Sequence, residues 1–381
     1  MAMLPERMQA VRFHGPGDLR VEEVPVPALE PGDVLIRVGA AGICATDRKI
    51  LARGHFKLPP GSGPRVLGHE VVGEVAAVAG DGGGAAEAFC VGQRVAVAPN
   101  IGCGRCLQCL TGDGHLCRDY QAFGISLDGG MAEFMRVPAR AVRAGNVFPL
   151  PPGLGYSAAA LFEPVACCLN SLAACGMQPG ETLLVVGAGA MGLLHVALGR
   201  ALGAARILVV GRSQARLERA KELGANDAWD DQAADLDARI AQWTEGRGAD
   251  VVVVTVPSAA LAARAIGWAA RKGRVNLFAG FPAGDDAVAM PGNHVHYGQV
   301  TVTGTTGASL VQLRRAVELL AAGVIPAERL ATGRFPLAEA HRAFAEAQTA
   351  RHARVQLIPA QPDGQEGRGP GEIEHRGRDQ G

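Results

Sequence analysis

Four cysteines, Cys103, Cys106, Cys109 and Cys117, occupy one glycine-punctuated loop, at intervals that let their sulfurs converge on a single tetrahedral metal ion. Four thiolates leave no vacant position for chemistry, so zinc held there stabilises a loop and does not catalyse. Free surface thiols are one alternative and an iron–sulfur centre another, although the flanking sequence is hydrophilic and lacks ferredoxin intervals. A nucleic-acid-binding zinc finger fails on the absence of a downstream histidine pair and a basic helix. A looser set of metal-ligand types is spread along the chain: Cys44 in Gly42-Ile43-Cys44-Ala45-Thr46-Asp47, His69 and Glu70 after Gly68, and Glu163. Taken singly, a cysteine or histidine is more often packed core than a ligand.

The turn Gly187-Ala188-Gly189-Ala190-Met191-Gly192 follows an apolar run from Thr182 to Val186 and opens an apolar helix. That context makes a G-x-G-x-x-G sequence a dinucleotide site: Gly187, Gly189 and Gly192 permit the tight turn, and the backbone N–H groups around Ala190 and Met191 receive a pyrophosphate. The second strand ends Leu208-Val209-Val210-Gly211-Arg212-Ser213, where an NAD enzyme places a carboxylate for the ribose hydroxyls. Here Gly211 leaves room for a 2′-phosphate, Arg212 can pair with it in forked geometry, and Ser213 can donate a hydroxyl. Arg216 adds charge one helical turn on. NADP is favoured over NAD; the alternative has Arg212 stacked on adenine or facing water.

These residues need elements to position them. The 381 residues, 48% hydrophobic, suffice for about two domains. Basic and acidic residues cancel at 37 each, so no global field draws nucleic acid or an anionic membrane, and a small-molecule partner fits better. Clustered cysteines in a large chain imply metal binding in a reducing cytoplasm. Met1–Arg7 has no export signal, and the apolar stretch Leu183–Leu198 is too broken to span a bilayer. Short β-branched runs cut by glycine and proline (34–38, 71–75, 94–97) predict a β-rich, barrel-like domain over 1–157, carrying the four-cysteine lobe at about 99–120. Fully apolar strands alternating with helices predict a doubly wound parallel sheet, an α/β nucleotide domain, over 158–297. Residues 298–359 return to complete the first domain, and 360–381 are rich in Gly, Gln, Pro and charge, which predicts a disordered tail.

The Cys-x-Thr-Asp and Gly-His-Glu motifs, the four-cysteine lobe and the glycine turn, in that order, resemble the zinc-dependent medium-chain dehydrogenase/reductase superfamily, over about Met8–Ile358. The resemblance implies a chaperonin-10-like catalytic domain beside a Rossmann domain, and two zinc ions per chain. Cys44 and His69 would bind the catalytic zinc, Glu70 would be an exchanging ligand, and Asp47 would fix the imidazole tautomer. Glu163, at its interval before Gly187, would be the third protein ligand, as in the polyol and threonine branch; Cys167 and Cys168 fall out of register. Thr46 would hydrogen-bond the substrate oxygen and pass its proton outward. Many relatives continue that relay with a histidine where this chain has Lys49; Lys49 or water then substitutes, or Lys49 contacts substrate. His55 is read as a solvated loop histidine, with a role as that outlet the alternative. The implied activity is NADP-linked interconversion of a secondary alcohol and its ketone, by a homodimer or homotetramer. An NAD-linked amino-alcohol dehydrogenase and a redox-silent nucleotide-binding relative are the competing readings. Ile50, Phe56, Phe123 and the segment Asn293–Tyr297 are expected near the substrate pocket, with His294 and His296 alternating along a strand and read as structural, not catalytic.

Overall fold

The apolar runs Leu183–Val186, Ile207–Val210 and Val251–Val254 contain no side chain exposed to solvent, which is possible for a strand only when helices cover both sheet faces. The computed structural model, which describes residues 4–55, 58, 63–80 and 84–360, places them at the centre of a parallel sheet of six strands. Their spatial order is Asp227–Asp230, Arg206–Gly211, Thr182–Val186, Ala249–Val254, Ala269–Leu277 and Thr301–Gly304. Strand order reverses between Thr182–Val186 and Ala249–Val254, which opens a crevice at their carboxyl ends beside the glycine turn. The sixth strand lies beyond residue 297, so the nucleotide layer runs further along the chain than composition indicates. Residues 293–297 are helical, within Gly292–Gly298, not extended: the helix starts after Pro291 and stops at Gln299, which is left-handed at φ 52°.

The β-rich half holds a sheet whose path is Val147–Pro149, Arg94–Val97, Glu70–Val78, Val34–Gly42, Arg354–Ile358 and Ala331–Pro336, with Phe134–Val137 also paired to Val34–Gly42. The strand Arg354–Ile358 pairs antiparallel with Val34–Gly42 through Gln356–Gly42 and Leu357–Ala41. The far end of the chain is thus built into the sheet that carries Cys44 and Glu70.

One hydrophobic core crosses the seam between the halves. Val72, Ala96 and Phe148 pack with Leu161, Phe162 and Leu183, and Phe148 meets Phe162 edge to face at 5.9 Å. The stretch Tyr156–Ala174 is apolar enough to cross a membrane by length and composition, but 67% of it is buried inside the protein, where it serves as this seam. Phe56 and residues 361–381 lie outside the described residues.

Candidate active site

The strand Val34–Gly42 delivers the chain to Cys44, the N-cap of the helix Ala45–Arg53. Asp47, in the first turn and fully buried, accepts the Cys44 backbone N–H at 2.8 Å on one oxygen and the Gly68 N–H at 3.3 Å on the other. The second oxygen also lies 3.5 Å from His69 Nδ1. One carboxylate therefore caps its helix and ties together the two segments that bear Cys44 and His69. Gly68 sits at φ 93°, and a β-carbon there would come 2.7 Å from the Met131 side chain, so only glycine turns His69 inward. Gly42 makes the corresponding room for Glu70, whose carboxylate occupies the place of the missing β-carbon.

Cys44, His69 and Glu70 each offer a ligand atom within 4.8 Å of the others. Glu70 forms a buried ion pair with Arg354, the side chains being 1% and 4% exposed. Glu163 approaches from the first turn of the helix Phe162–Ala174 and borders the same cleft, outside the compact trio. Burial and the neighbouring Glu70 charge raise the Glu163 pKa. Burial alone would lower the His69 pKa, but Asp47 and Cys44 outweigh it and hold it well above the usual value. A thiol, an imidazole and two carboxylates suit zinc, and Glu70 Oε1 is buried without a hydrogen-bond partner among the described residues. The site's polar groups are thus incomplete without a cation.

The cleft encloses about 600 Å³ and joins Cys44, Thr46, Lys49, His69, Glu70 and Glu163 to Gly189, Ala190 and Met191. Thr46 Oγ1 is 3.9 Å from Cys44 Sγ. Phe123 lines the cleft, whereas Ile50 is wholly buried and points into the β-rich core. Asn293, His294 and Tyr297 border a larger cavity of about 1050 Å³ at the opposite, amino-terminal ends of the nucleotide strands; their helix turns them away from the chemistry.

At the glycine turn, Gly187 has φ 108°, and a β-carbon there would meet Thr255 Oγ1 at 2.5 Å; one on Gly192 would collide with the Gly187 carbonyl. Gly189 caps the helix Ala190–Ala201. A β-carbon on Gly211 would touch Ala188 at 3.0 Å. Arg212 is exposed and makes no hydrogen bond or ion pair among the described residues. Ser213 caps the helix Gln214–Glu222. Arg216 donates to the Thr349 carbonyl at 2.6 Å and reaches the cleft; burial and the nearby Arg48 lower its pKa.

The lobe sulfurs of Cys103, Cys106, Cys109 and Cys117 also lie within 4.8 Å of one another, and all four are free thiols. The N–H of Cys106 points at Cys103 Sγ and that of Cys103 at Cys117 Sγ, both at 3.3 Å. Backbone N–H donors from Arg105 and Cys106 bring the Cys103 thiol down to about 6, which favours the thiolate a metal needs.

Three residues of the cleft escape a reading by motif: Arg354, Arg48 and Cys167. A lone arginine opening the apolar strand Arg354–Ile358 is the one signal that could have revealed the first, because an arginine in a buried strand requires a partner.

A site of this kind on this fold defines a zinc-dependent oxidoreductase. Residues 30–151 match the alcohol dehydrogenase GroES-like domain and residues 190–322 the zinc-binding dehydrogenase domain. The chain is 31% identical to a sorbitol dehydrogenase of Bacillus subtilis over 345 residues, covering 90% of this chain and 94% of that protein. It is 32% identical to an L-threonine 3-dehydrogenase of Bacillus licheniformis, covering 89% and 94%. Among solved structures, a zinc-binding dehydrogenase of Sinorhizobium meliloti 1021 bound to NADP superposes with a TM-score of 0.84 at 33% identity, over 93% of this chain and 100% of that one. The chain belongs to the zinc-type medium-chain dehydrogenase/reductase superfamily.

Proposed function

We propose that the protein interconverts a secondary alcohol and its ketone with NADP(H) and that the substrate is a polyol, sugar or cyclitol. The observation that carries this reading is the single cleft joining the Cys44, His69, Glu70 and Glu163 donors to the turn at Gly189. Cys44, His69 and Glu163 would hold a catalytic zinc with Glu70 as the exchanging group, and the four lobe thiols a structural one. When bound, zinc supplies the Lewis acidity that makes a hydroxyl acidic near neutral pH, and NADP supplies the hydride acceptor.

The chain's own residues do the rest. Thr46 accepts the substrate hydroxyl proton while donating its own towards solvent, and Lys49, exposed at the cleft rim, orients hydroxyls or carries the proton outward. Asp47 fixes the imidazole of His69. Arg354 pairs with Oε2 of Glu70 and leaves Oε1 without a hydrogen-bond partner among the described residues. Arg212, exposed at the second strand end beside Gly211, suits a 2′-phosphate; the NADP-bound relative and the sorbitol dehydrogenase relative support the cofactor and substrate class. The open edge of Thr301–Gly304 suits pairing with a second copy.

The test is NADPH consumption against a panel of ketoses, and reduction of NADP or NAD with polyols and L-threonine, on protein of measured zinc content. Turnover with ketoses and polyols is expected. Turnover only with L-threonine and NAD would move the protein to the amino-alcohol class, and inertness of fully metallated protein would mark a redox-silent relative.

A further inference from the structure

Each carboxylate of the cleft needs something to hold it. Glu70 has Arg354. Glu163 is half-buried on a different element, and among the described residues a single hydrogen bond reaches it: the thiol of Cys167 donates to Oε1 at 3.4 Å. The two residues lie four apart on Phe162–Ala174, where i and i+4 side chains share a face. The helix explains why the adjacent cysteines differ. Cys168 points away, its sulfur 3.4 Å from His195 Nδ1 and 3.9 Å from the Met191 carbonyl, whereas Cys167 is 9% exposed and lines the cleft.

We propose that Cys167 is the positioning residue for Glu163, its S–H holding Oε1 so that the second carboxylate oxygen is presented to the donor cluster. The proposal rests on the reading of Glu163 as a metal ligand. The unpartnered Glu70 Oε1, on a side chain 1% exposed, independently marks the cluster as arranged around a cation. A thiol is a weak donor, so it orients the carboxylate without competing strongly for its charge. Cys167 lies outside the spacing that supplies Cys44 and His69, and its part is to orient, not to coordinate.

The experiment uses full-length protein with cobalt(II) in the cleft and zinc retained in the lobe, comparing Cys167→Ala and Cys167→Ser with Glu163→Gln and Cys44→Ser. The readouts are cobalt affinity, by competition with a chromophoric chelator, and the sulfur-to-cobalt charge-transfer band. Loss of an outer hydrogen-bond partner costs about 10–100-fold in metal affinity, and a weak thiol donor predicts the lower end, about tenfold, for Cys167→Ala. Cys167→Ser keeps a donor and restores most of that affinity. The charge-transfer band stays unchanged in both, because the one coordinating thiolate is that of Cys44. Unchanged affinity in Cys167→Ala overturns the proposal, as does a band that weakens in both variants, which would make the thiol itself a ligand. Should Cys44→Ser and Glu163→Gln also leave affinity and band untouched, the metal reading of the cleft fails and takes the proposal with it, a pattern distinct from failure at Cys167 alone. Circular dichroism and thermal midpoints separate misfolding from either result, and Cys167→Ser keeps the test valid if the alanine variant is unstable.

Discussion

Replacing Arg354 by methionine should strongly destabilise the protein. The ion pair with Glu70 is almost entirely out of water, the side chains being 4% and 1% exposed, and removing one partner leaves a buried charge uncompensated. Such losses cost about 3–5 kcal/mol. Burial opposes the charge on Arg354, but the carboxylates of Glu70 and Glu163 and the thiol of Cys44 more than offset it and push its pKa further up. The guanidinium is therefore charged throughout the accessible pH range. Glu70→Gln alone strands the arginine and should lose a similar amount. The double variant strands neither and should recover at least about 2 kcal/mol of the summed losses, since contacting charges are not additive. Urea unfolding of metal-free protein is the assay, followed both by far-ultraviolet circular dichroism and by fluorescence. The three tryptophans, Trp229, Trp243 and Trp268, all lie in the nucleotide half, so fluorescence reports that half alone. Because one core crosses the seam, both signals should shift together. A methionine variant within about 1 kcal/mol of the parent, or a double variant as weak as the summed singles, would refute the account of a buried pair that breaks expensively.

Four further outcomes are expected. Arg212→Ala should weaken NADP binding about tenfold, near the low end for a charged hydrogen bond, and leave NAD binding unchanged; equal losses in calorimetric titration would dismiss the 2′-phosphate role. His195, wholly buried, is held down to about 4 by burial, against 6.5 for the free side chain. The unfolded chain therefore takes up a proton that the folded one refuses, and stability falls as pH drops from 6.5 towards 4, by about 3 kcal/mol; His195→Leu should lack that part of the slope in acid unfolding series. Gly102→Ala places a β-carbon 2.6 Å from Cys109 Sγ, so the lobe should lose its metal while the cleft keeps its own, as elemental analysis would show. Thr46→Val should lower kcat about a hundredfold, the low end for a positioned proton-transfer group, with metal content unchanged.

What the sequence discloses is what recurs at short range. The intervals between Cys103 and Cys117 and those from Gly187 to Gly192 each lie within one loop or one strand-to-helix turn, so residue type and spacing suffice to propose a geometry. Asp47 is of the same kind: it sits three residues after Cys44 on one helical turn, and its reach back to the Cys44 N–H at 2.8 Å follows from that spacing. Runs such as Val251–Val254 announce a sheet buried on both faces for the same local reason. The misreading of Asn293–Tyr297 as extended shows the limit, since alternating His294, Val295 and His296 fits a period of two as well as a short helix with one packed residue.

Pairings made by topology leave no such trace. Glu70 and Arg354 are 284 positions apart, and they meet because the strand Arg354–Ile358 returns to pair beside Val34–Gly42, a neighbour on the same sheet of the strand that Glu70 begins. Neither residue's local sequence refers to the other. Cys167 is a different failure: it is close to Glu163, but register counted from the glycine turn asks only whether a residue coordinates, and so passes over one that holds the coordinating group. A carboxylate read from a motif should therefore be accompanied by a search for its donor, first one helical turn away and then on whichever strand closes the sheet. In this protein that search leads from Glu163 to Cys167 and from Glu70 to Arg354, and the two donors differ in the way their tasks require. Glu70, the exchanging group, is anchored at one oxygen by a full cation that would be costly to separate from it, and Glu163, the steady ligand, has a neutral thiol that orients it without competing strongly for its charge.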